Sequence, residues 1–596
     1  MQIEKKINSL LKDYSSGKKE ISYEKLNKIF LKNKLNNKLR YNIAVIEQDL
    51  NLNDKARENY TYLIKSEQNT KAMINLYLLE MKEEKFLEAL KIIEMFLKID
   101  INNKNVLIDK AFIYYKLNSF DKSITISKQI LKSDNKDLRA FNLLGLCYSA
   151  RENFFQAEEI FKKGLSLNPN FLPILNSIGM LYHEQRKSQN AERYFLKALS
   201  LDPDSYHLIN NIAGFYLEEC KYLDAINYYK KALSKNPNNP SILNNLGKAY
   251  FSINKIEEAE KTCLLAKQLN DNDSDIFKTL SQIYFKKNEL DKAWKFFDGR
   301  LGLSDFIIKN ASINRIKDKI FRGNIISTNS KILILREQGV GDEILYGTMY
   351  KDLLNEFDDV QIECDPRLIE IFKQSFDKKH HKKFIKLGTY SNQNSKLKDF
   401  DIVMYAGSLG RFYRNKINNF STESYLNTEI QSVKRYKTKL KEFKNKINIG
   451  ISWKSFNNRY SGEKSLSLDD FSDIFATPNC NFINLQYGDI NDELEFFCKK
   501  RNVKIITLKN LDLFNDLIGV SGLLKNLDLF ISVSNSTAHI AGAMGVKTIL
   551  IKPFNHATYH YWNHEGSKTP WYNSVTMIEK NEITNKKNFL SNFISI

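Results

Sequence analysis

A period of 34 residues constrains this chain more than any other feature. Alanines stand at Ala157, Ala191, Ala225, Ala259 and Ala293, and tyrosines at Tyr148, Tyr182, Tyr216, Tyr250 and Tyr284. Gly145, Gly179 and Gly247 keep the same register, with Ala213 between the last two, and Pro169, Pro203 and Pro237 share another phase. A unit this short cannot bury a core alone, so it must stack on its neighbours in a quasi-one-dimensional array. Two antiparallel helices per unit explain the residue types. The small residues stand where helices approach closely, and the prolines block continuation of each second helix. The tyrosines and the aromatics Phe161, Phe195, Tyr229 and Phe297 are expected to fill the groove against the next unit. Weaker copies run upstream through Ser123 with Tyr114, then Ala89, then Ala56. About eight units fit between residues 37 and 305, with residues 1–36 as a helical cap.

The pattern resembles the tetratricopeptide repeat. That resemblance implies an all-α solenoid with a concave groove that captures a polypeptide, and assigns the recurrent Tyr, Ala and Gly to packing. Only 23 Gly and 9 Pro occur in 596 residues, which fits long helices, and 12% aromatic content excludes a disordered chain. The six cysteines form no C-x-x-C pair, which argues against a zinc knuckle or disulfide framework and for a reducing compartment. Neither a signal-peptide core nor a run of 18 apolar residues is visible. The expected location is cytoplasmic, at most peripheral to the inner membrane.

After Leu301 the register stops. Residues 306–328 read as a connector, and short apolar strands alternating with helical patterns follow. The expected strands are Lys331–Leu335, Val360–Cys364, Lys383–Leu387, Asp401–Met404, Ile447–Ser452, Asn481–Gln486, Val503–Thr507, Leu527–Val533 and Lys547–Ile551. Such alternation indicates parallel α/β sheets. Two Rossmann-like lobes fit the length, residues 329–432 and 433–596, divided in a Lys-rich stretch.

Two strand–loop–helix motifs carry chemistry. In the first, KILIL runs into REQGVGDE and a helix; Gly339 and Gly341 permit a tight turn near a ligand, and a helix N-terminus favours an anion. It lacks the Gly-Lys-Ser/Thr of a Walker A loop, and Ile344 breaks a full dinucleotide fingerprint. On this motif alone Asp342 reads first as an N-cap carboxylate satisfying free N–H groups. In the second, ISVSNSTAHIAGAMG places Ser534, Asn535, Ser536 and Thr537 between a strand and a helix, where short polar side chains can cap the helix or coordinate phosphate oxygens. His539 follows in the first turn and can donate to a diphosphate.

Together with Trp571-Tyr572, these motifs resemble the heptosyltransferase-like glycosyltransferases of the GT-B fold, closest to the branch with N-terminal tetratricopeptide repeats. The resemblance implies an inverting, metal-independent transfer of a sugar from a nucleotide-diphosphate sugar to a protein or glycan acceptor recruited by the repeats. It implies Asp342 as general base, and Lys464, with Arg459 as runner-up, as the cation facing the donor diphosphate. Gly339, Gly341, Gln486, Ser534, Asn535, Ser536, Thr537 and His539 would form the donor cradle, and Trp453, closing INIGISW, is a further candidate. The nucleotide-sugar is a substrate, so no cofactor or metal is expected. Many relatives carry Asp-Thr where this chain has Ser534-Asn535, which keeps open a non-catalytic interaction scaffold with a degenerate lobe.

His556, His560 and His564 share a spacing of four, but the aromatic surroundings favour an interface loop over a metal site. No G-x-S-x-G elbow and no nucleic-acid motif occurs. The net charge is +20, and residues 370–446 hold 18 Lys+Arg against 7 Asp+Glu. That excess, including Lys378, Lys379, Lys382 and Lys383, suggests an anionic acceptor or surface beside the first lobe rather than nucleic acid.

Overall fold

A computed structural model describes residues 2–33, 36–302, 329–391, 397–443, 446–456, 464–553, 560–562, 566–584 and 589–594. The connector 306–328 lies outside them. The chain divides into two compact units, Met1–Phe215 and Tyr216–Ile596.

The first unit is helical throughout. After the helices Gln2–Ser15 and Lys19–Lys32 come five hairpins, from Asn37–Asp49 with Asn53–Glu67 to Leu172–Glu184 with Ser188–Leu201. The first helices of four of these hairpins are capped by side chains: Asn36, Asn69, Asn103 and Asp137 each accept a backbone N–H of the first turn. The turn inside each hairpin needs one left-handed residue, supplied at Asn51, Glu84, Asn118, Glu152 and Arg186 with φ of 56–59°. From Glu84 onward these positions repeat every 34 residues, a periodicity of backbone rather than of residue type. Packing inside the hairpin sets the glycine phase. A methyl on Gly145 would strike the Phe161 ring, and one on Gly179 would lie 2.9 Å from the Phe195 ring. The recurrent aromatic thus sits on the glycine of its own hairpin as well as reaching onward; Phe195 meets Phe215 of the next helix at 5.5 Å. This adds an intra-unit role to the inter-unit one expected from sequence.

The second unit holds the last hairpins and the α/β region in one continuous core. The array continues there through Tyr222–Lys235, Pro240–Ser252 with Ile256–Leu269, and Ser274–Lys286 with Leu290–Phe297. The same left-handed turn recurs at Cys220, Asn254 and Asn288. The last helix is a structural part of the first lobe. Trp294 is buried, its Nε1 donates to the Arg414 carbonyl at 2.8 Å, and its ring fills the space a side chain at Gly410 would need. Sequence periodicity marks the end of the array, but burial makes no break there.

The α/β region contains two all-parallel sheets. The strands β1 (Ile332–Leu335), β2 (Val360–Cys364), β3 (Phe384–Lys386) and β4 (Ile402–Tyr405) are ordered β3-β2-β1-β4. The strands β5 (Ile447–Ser452), β6 (Cys480–Asn484), β7 (Ile505–Ile506), β8 (Leu529–Val533), β9 (Thr548–Ile551) and β10 (Val575–Ile578) are ordered β10-β9-β8-β5-β6-β7. All pairings between these strands are parallel. β10 is the strand absent from the sequence expectation. The expected lobe division at 432/433 falls inside the helix Ile430–Lys441. That helix packs on the second lobe: Ser432 Oγ donates to the Ile518 carbonyl at 3.0 Å, and Asn526 Nδ2 to the Val433 carbonyl at 2.9 Å. The division therefore precedes residue 430, because the Lys-rich face that read as a linker is the solvent side of an amphipathic helix.

Candidate functional site

Open parallel sheets bind ligands beyond the carboxyl ends of their strands, where the strand order reverses. In the first sheet that reversal lies between β1 and β4, and in the second between β5 and β8. The two sequence motifs are the loops leaving β1 and β8, so topology directs both toward binding edges.

The β1 loop is built rigidly. Gln338 takes the left-handed conformation at φ 57°, which turns the chain into the helix Val340–Gly347. Gly339, not Asp342, is the N-cap: Asp342 stands at the third helical position, and its Oδ2 accepts the Gly339 N–H at 3.3 Å. The flanking carboxylates face inward. Glu337 is buried and receives Arg300 from the end of the array, Nη2 to Oε2 at 2.8 Å and Nε to Oε1 at 3.2 Å. Glu343 is buried opposite Arg336, whose Nε lies 2.6 Å from Oε1, while the Asp365 N–H donates to Oε2 at 2.8 Å. Burial raises the Glu343 carboxyl to about 8, opposed by Arg336.

The β8 loop is equally constrained. Asn535 caps the helix Ser536–Ala543 through the Ala538 N–H at 3.1 Å, and its amide nitrogen donates to Ser452 Oγ at 2.7 Å. Ser534 Oγ accepts from the Trp562 indole at 2.9 Å. His539 is buried, with Nδ1 3.1 Å from the Tyr572 hydroxyl and its ring 5.1 Å from Trp562.

The two loops meet. A methyl on Gly341 would lie 2.9 Å from His539 Cδ2 and 3.5 Å from Ser536 Cα, so the first lobe's helix start rests on the second lobe's. This is a close approach that a side chain would obstruct. Lys464 is buried beside both, and its charge lowers the proton affinity of Asp342 and of His539. Asp342 is half-buried, and desolvation raises its carboxyl to about 6, opposed by the Gly339 N–H, Lys464 and the Tyr561 hydroxyl. Desolvation, aided by Lys464, lowers His539 to about 3, so the imidazole is neutral near pH 7.

Thus Asp342, Gly339, Gly341, Lys464, Ser536 and His539 come together. Other expected donor residues are engaged elsewhere. Gln486 is buried, its Oε1 accepting Ser452 Oγ at 3.0 Å, the Trp453 N–H at 2.9 Å and the Lys454 N–H at 2.7 Å, while Nε2 donates to the Tyr487 carbonyl at 2.9 Å. It clamps β5 to β6 rather than lining a cleft. Trp453 is fully buried in the core below the second sheet, with Nε1 3.4 Å from Glu493 Oε1. Ser534 and Asn535 spend side-chain hydrogen bonds on internal partners, and Thr537 is buried. His539 is neutral near pH 7, with Nδ1 facing the Tyr572 hydroxyl. Arg459, His556 and His564 lie outside the described residues. His560 is buried and stacks on Phe285 at 4.8 Å. Sequence reasoning missed Arg300 and Glu337, whose pairing spans 37 residues with no local signal, and Tyr561 and Trp562, which stand in an irregular segment.

In the basic stretch, Lys378, Lys379 and Lys382 are exposed. Lys383 donates to the Asp358 carbonyl at 2.6 Å, and Arg414 is buried against Asp352 at 2.8 Å. No helix among the described residues is long and apolar enough to cross a membrane.

Comparisons with known proteins bear on the array. Tetratricopeptide-repeat family models match residues 138–171 and 172–205, and a further one matches residues 216–283. Protein FlbA of Caulobacter vibrioides is 26% identical over 259 residues, which cover 41% of this chain and 42% of FlbA; the chain thus spans less than half the length of that relative. Among solved structures, a tetratricopeptide-repeat protein from Parabacteroides merdae is 20% identical with a TM-score of 0.35, covering 41% of this chain and 97% of its own. A thermophilic tetratricopeptide-repeat protein from Thermus thermophilus is 20% identical with a TM-score of 0.30, covering 31% and 100%. PilF of Pseudomonas aeruginosa is 18% identical with a TM-score of 0.29, covering 32% and 88%. The N-terminal region of this chain is built of tetratricopeptide repeats, and the repeats point to a polypeptide partner.

Proposed function

We propose that the chain is a glycosyltransferase of the GT-B type, moving a sugar from a nucleotide-diphosphate donor to an acceptor held by the repeats. The observation that carries this reading is the contact of Gly341 with His539 and Ser536, which sets Asp342 and Lys464 in one place between two parallel sheets. An acceptor hydroxyl must lose its proton as it attacks the anomeric carbon, and a carboxylate with a proton affinity near 6 is ionised yet basic at neutral pH. Lys464 would stabilise charge on the departing diphosphate, with no metal required. Replacing Asp342 by Asn should lower sugar release from the preferred donor by roughly 10²–10⁴-fold while donor binding persists. Undiminished turnover would remove Asp342 from the mechanism.

A second reading is a non-catalytic scaffold, and it is favoured by the internal engagement of Gln486, Ser534 and Asn535. In that case the repeats bind a polypeptide and no nucleotide binds the α/β region.

A further inference from the structure

Behind the cleft lies a pocket of about 350 Å³, at the opposite ends of the two helices that meet at Gly341. Thr348 lines it just past the end of one helix, and Gly542, Ala543 and Gly545 line it at the end of the other. The remaining wall comes from residues 420–425, which cross from the first lobe to the second, and from residues 570–574.

The pocket is preformed. Phe420 packs edge-on against Trp571 at 4.9 Å, and the Tyr425 hydroxyl donates to the Ile344 carbonyl at 2.6 Å, which fixes both ends of the crossing segment. Asn573 Nδ2 holds its middle through the Thr422 carbonyl at 2.7 Å. Fixed walls reduce the entropy lost on binding.

The lining selects a chemistry. Ser421, Thr422, Ser424 and Ser574 line it beside Trp571 and Tyr572; Ser421 Oγ accepts the Glu423 N–H at 3.1 Å and Ser574 Oγ donates to the Gly542 carbonyl at 3.5 Å, which leaves the Thr422 and Ser424 hydroxyls for a ligand. Hydroxyls both donate and accept, so they match a ligand whose own groups do the same, and the aromatic walls suit its C–H faces. The pocket's charges are unequal. The Arg414 guanidinium is paired with Asp352 and also donates to the Thr348 carbonyl at 2.6 Å, whereas among the described residues no cation pairs with Glu423. An exposed carboxylate among hydroxyls favours an ammonium over an anion.

We infer that this pocket is a second ligand site, for an amino sugar bound through its ring hydroxyls and its ammonium group. Nothing in this inference depends on the glycosyl-transfer reading: Tyr572 lines the pocket and also meets His539 through its hydroxyl, but neither Asp342 nor Lys464 lines it.

Isothermal titration of the full chain with D-glucosamine and with D-glucuronate tests it. Glucosamine should bind and glucuronate should bind at least about tenfold more weakly, with Glu423→Gln weakening glucosamine by about tenfold. Ser424→Trp, at an exposed rim position, should abolish binding by filling the pocket. If Ser424→Trp fails to fold, Glu423→Gln decides alone. Absence of glucosamine binding, equal binding of glucuronate, or an affinity within twofold of wild type in Glu423→Gln would overturn the inference. Nucleoside-diphosphate titration of the same variants reads the cleft separately, so a failed pocket and a failed cleft give different results.

Discussion

Among single residues, Asp342 carries a cost in stability. Its carboxyl is raised to about 6 when folded, above the unfolded value. The native state therefore binds the proton more tightly, and the associated stability is full at low pH and lost as pH rises through about 6. Asp342→Asn should be more stable than wild type at pH 8, by roughly 1–2 kcal/mol, with the gain vanishing near pH 4. Thermal unfolding at the two pH values checks this. Under the proposed mechanism sugar transfer should rise with pH to a plateau above about 6, and a flat profile from pH 5 to 7 would separate Asp342 from catalysis. Arg300 is the complementary case. Removing its guanidinium would leave Glu337 buried without its partner, so Arg300→Ala should cost roughly 3–5 kcal/mol in denaturant unfolding, despite its place at the edge of the array. The residues around Asp342 were unevenly legible. Gly339, Gly341 and Ser536 stand in short motifs beside predicted strands and could be placed. The engagement of Gln486 and Trp453 could not, because burial depends on neighbours distant in sequence.

At the scale of elements, periodicity made the array readable and geometry explains it. The step of 34 recurs in Gly145 and Gly179 because each supports an aromatic ring of its own hairpin. Gly145→Ala should destabilise the first unit by roughly 1–3 kcal/mol, since Phe161 is fully buried and has little room to withdraw. The left-handed turn residues carry no compositional signature: Glu84, Glu152 and Arg186 occupy it beside Asn118. Glycine removes the steric cost there, so Glu152→Gly should leave stability unchanged or raise it by up to about 1 kcal/mol. Nine strands were visible as apolar runs between helical patterns. β10 escaped because it is a four-residue strand close behind Trp571-Tyr572. The helix Ile430–Lys441 read as a linker because its lysines outnumber the Ser432, Tyr436 and Leu440 that it buries.

At the scale of the second unit, the α/β sheets and the last hairpins are one folded body. Trp294 and Arg300 belong to the array by register but to the first lobe by burial, and Arg300 supports the loop that presents Asp342. Truncating the chain before β1 to isolate the α/β region would therefore expose the core around Gly410 and unpair Glu337. Gly341 makes the corresponding contact between the lobes. Gly341→Val should force the two helix starts apart and reduce ligand affinity at the cleft more than it reduces the melting temperature.

In the proposed function the loops after β1 and β8 form one nucleotide-diphosphate site around Lys464. Calorimetric titration with a panel of nucleoside diphosphates, on wild type and on Lys464→Gln, tests it most directly. At least one nucleotide should bind wild type, and the variant should bind it at least about tenfold more weakly. Binding of none of them, or equal binding by both proteins, would contradict it.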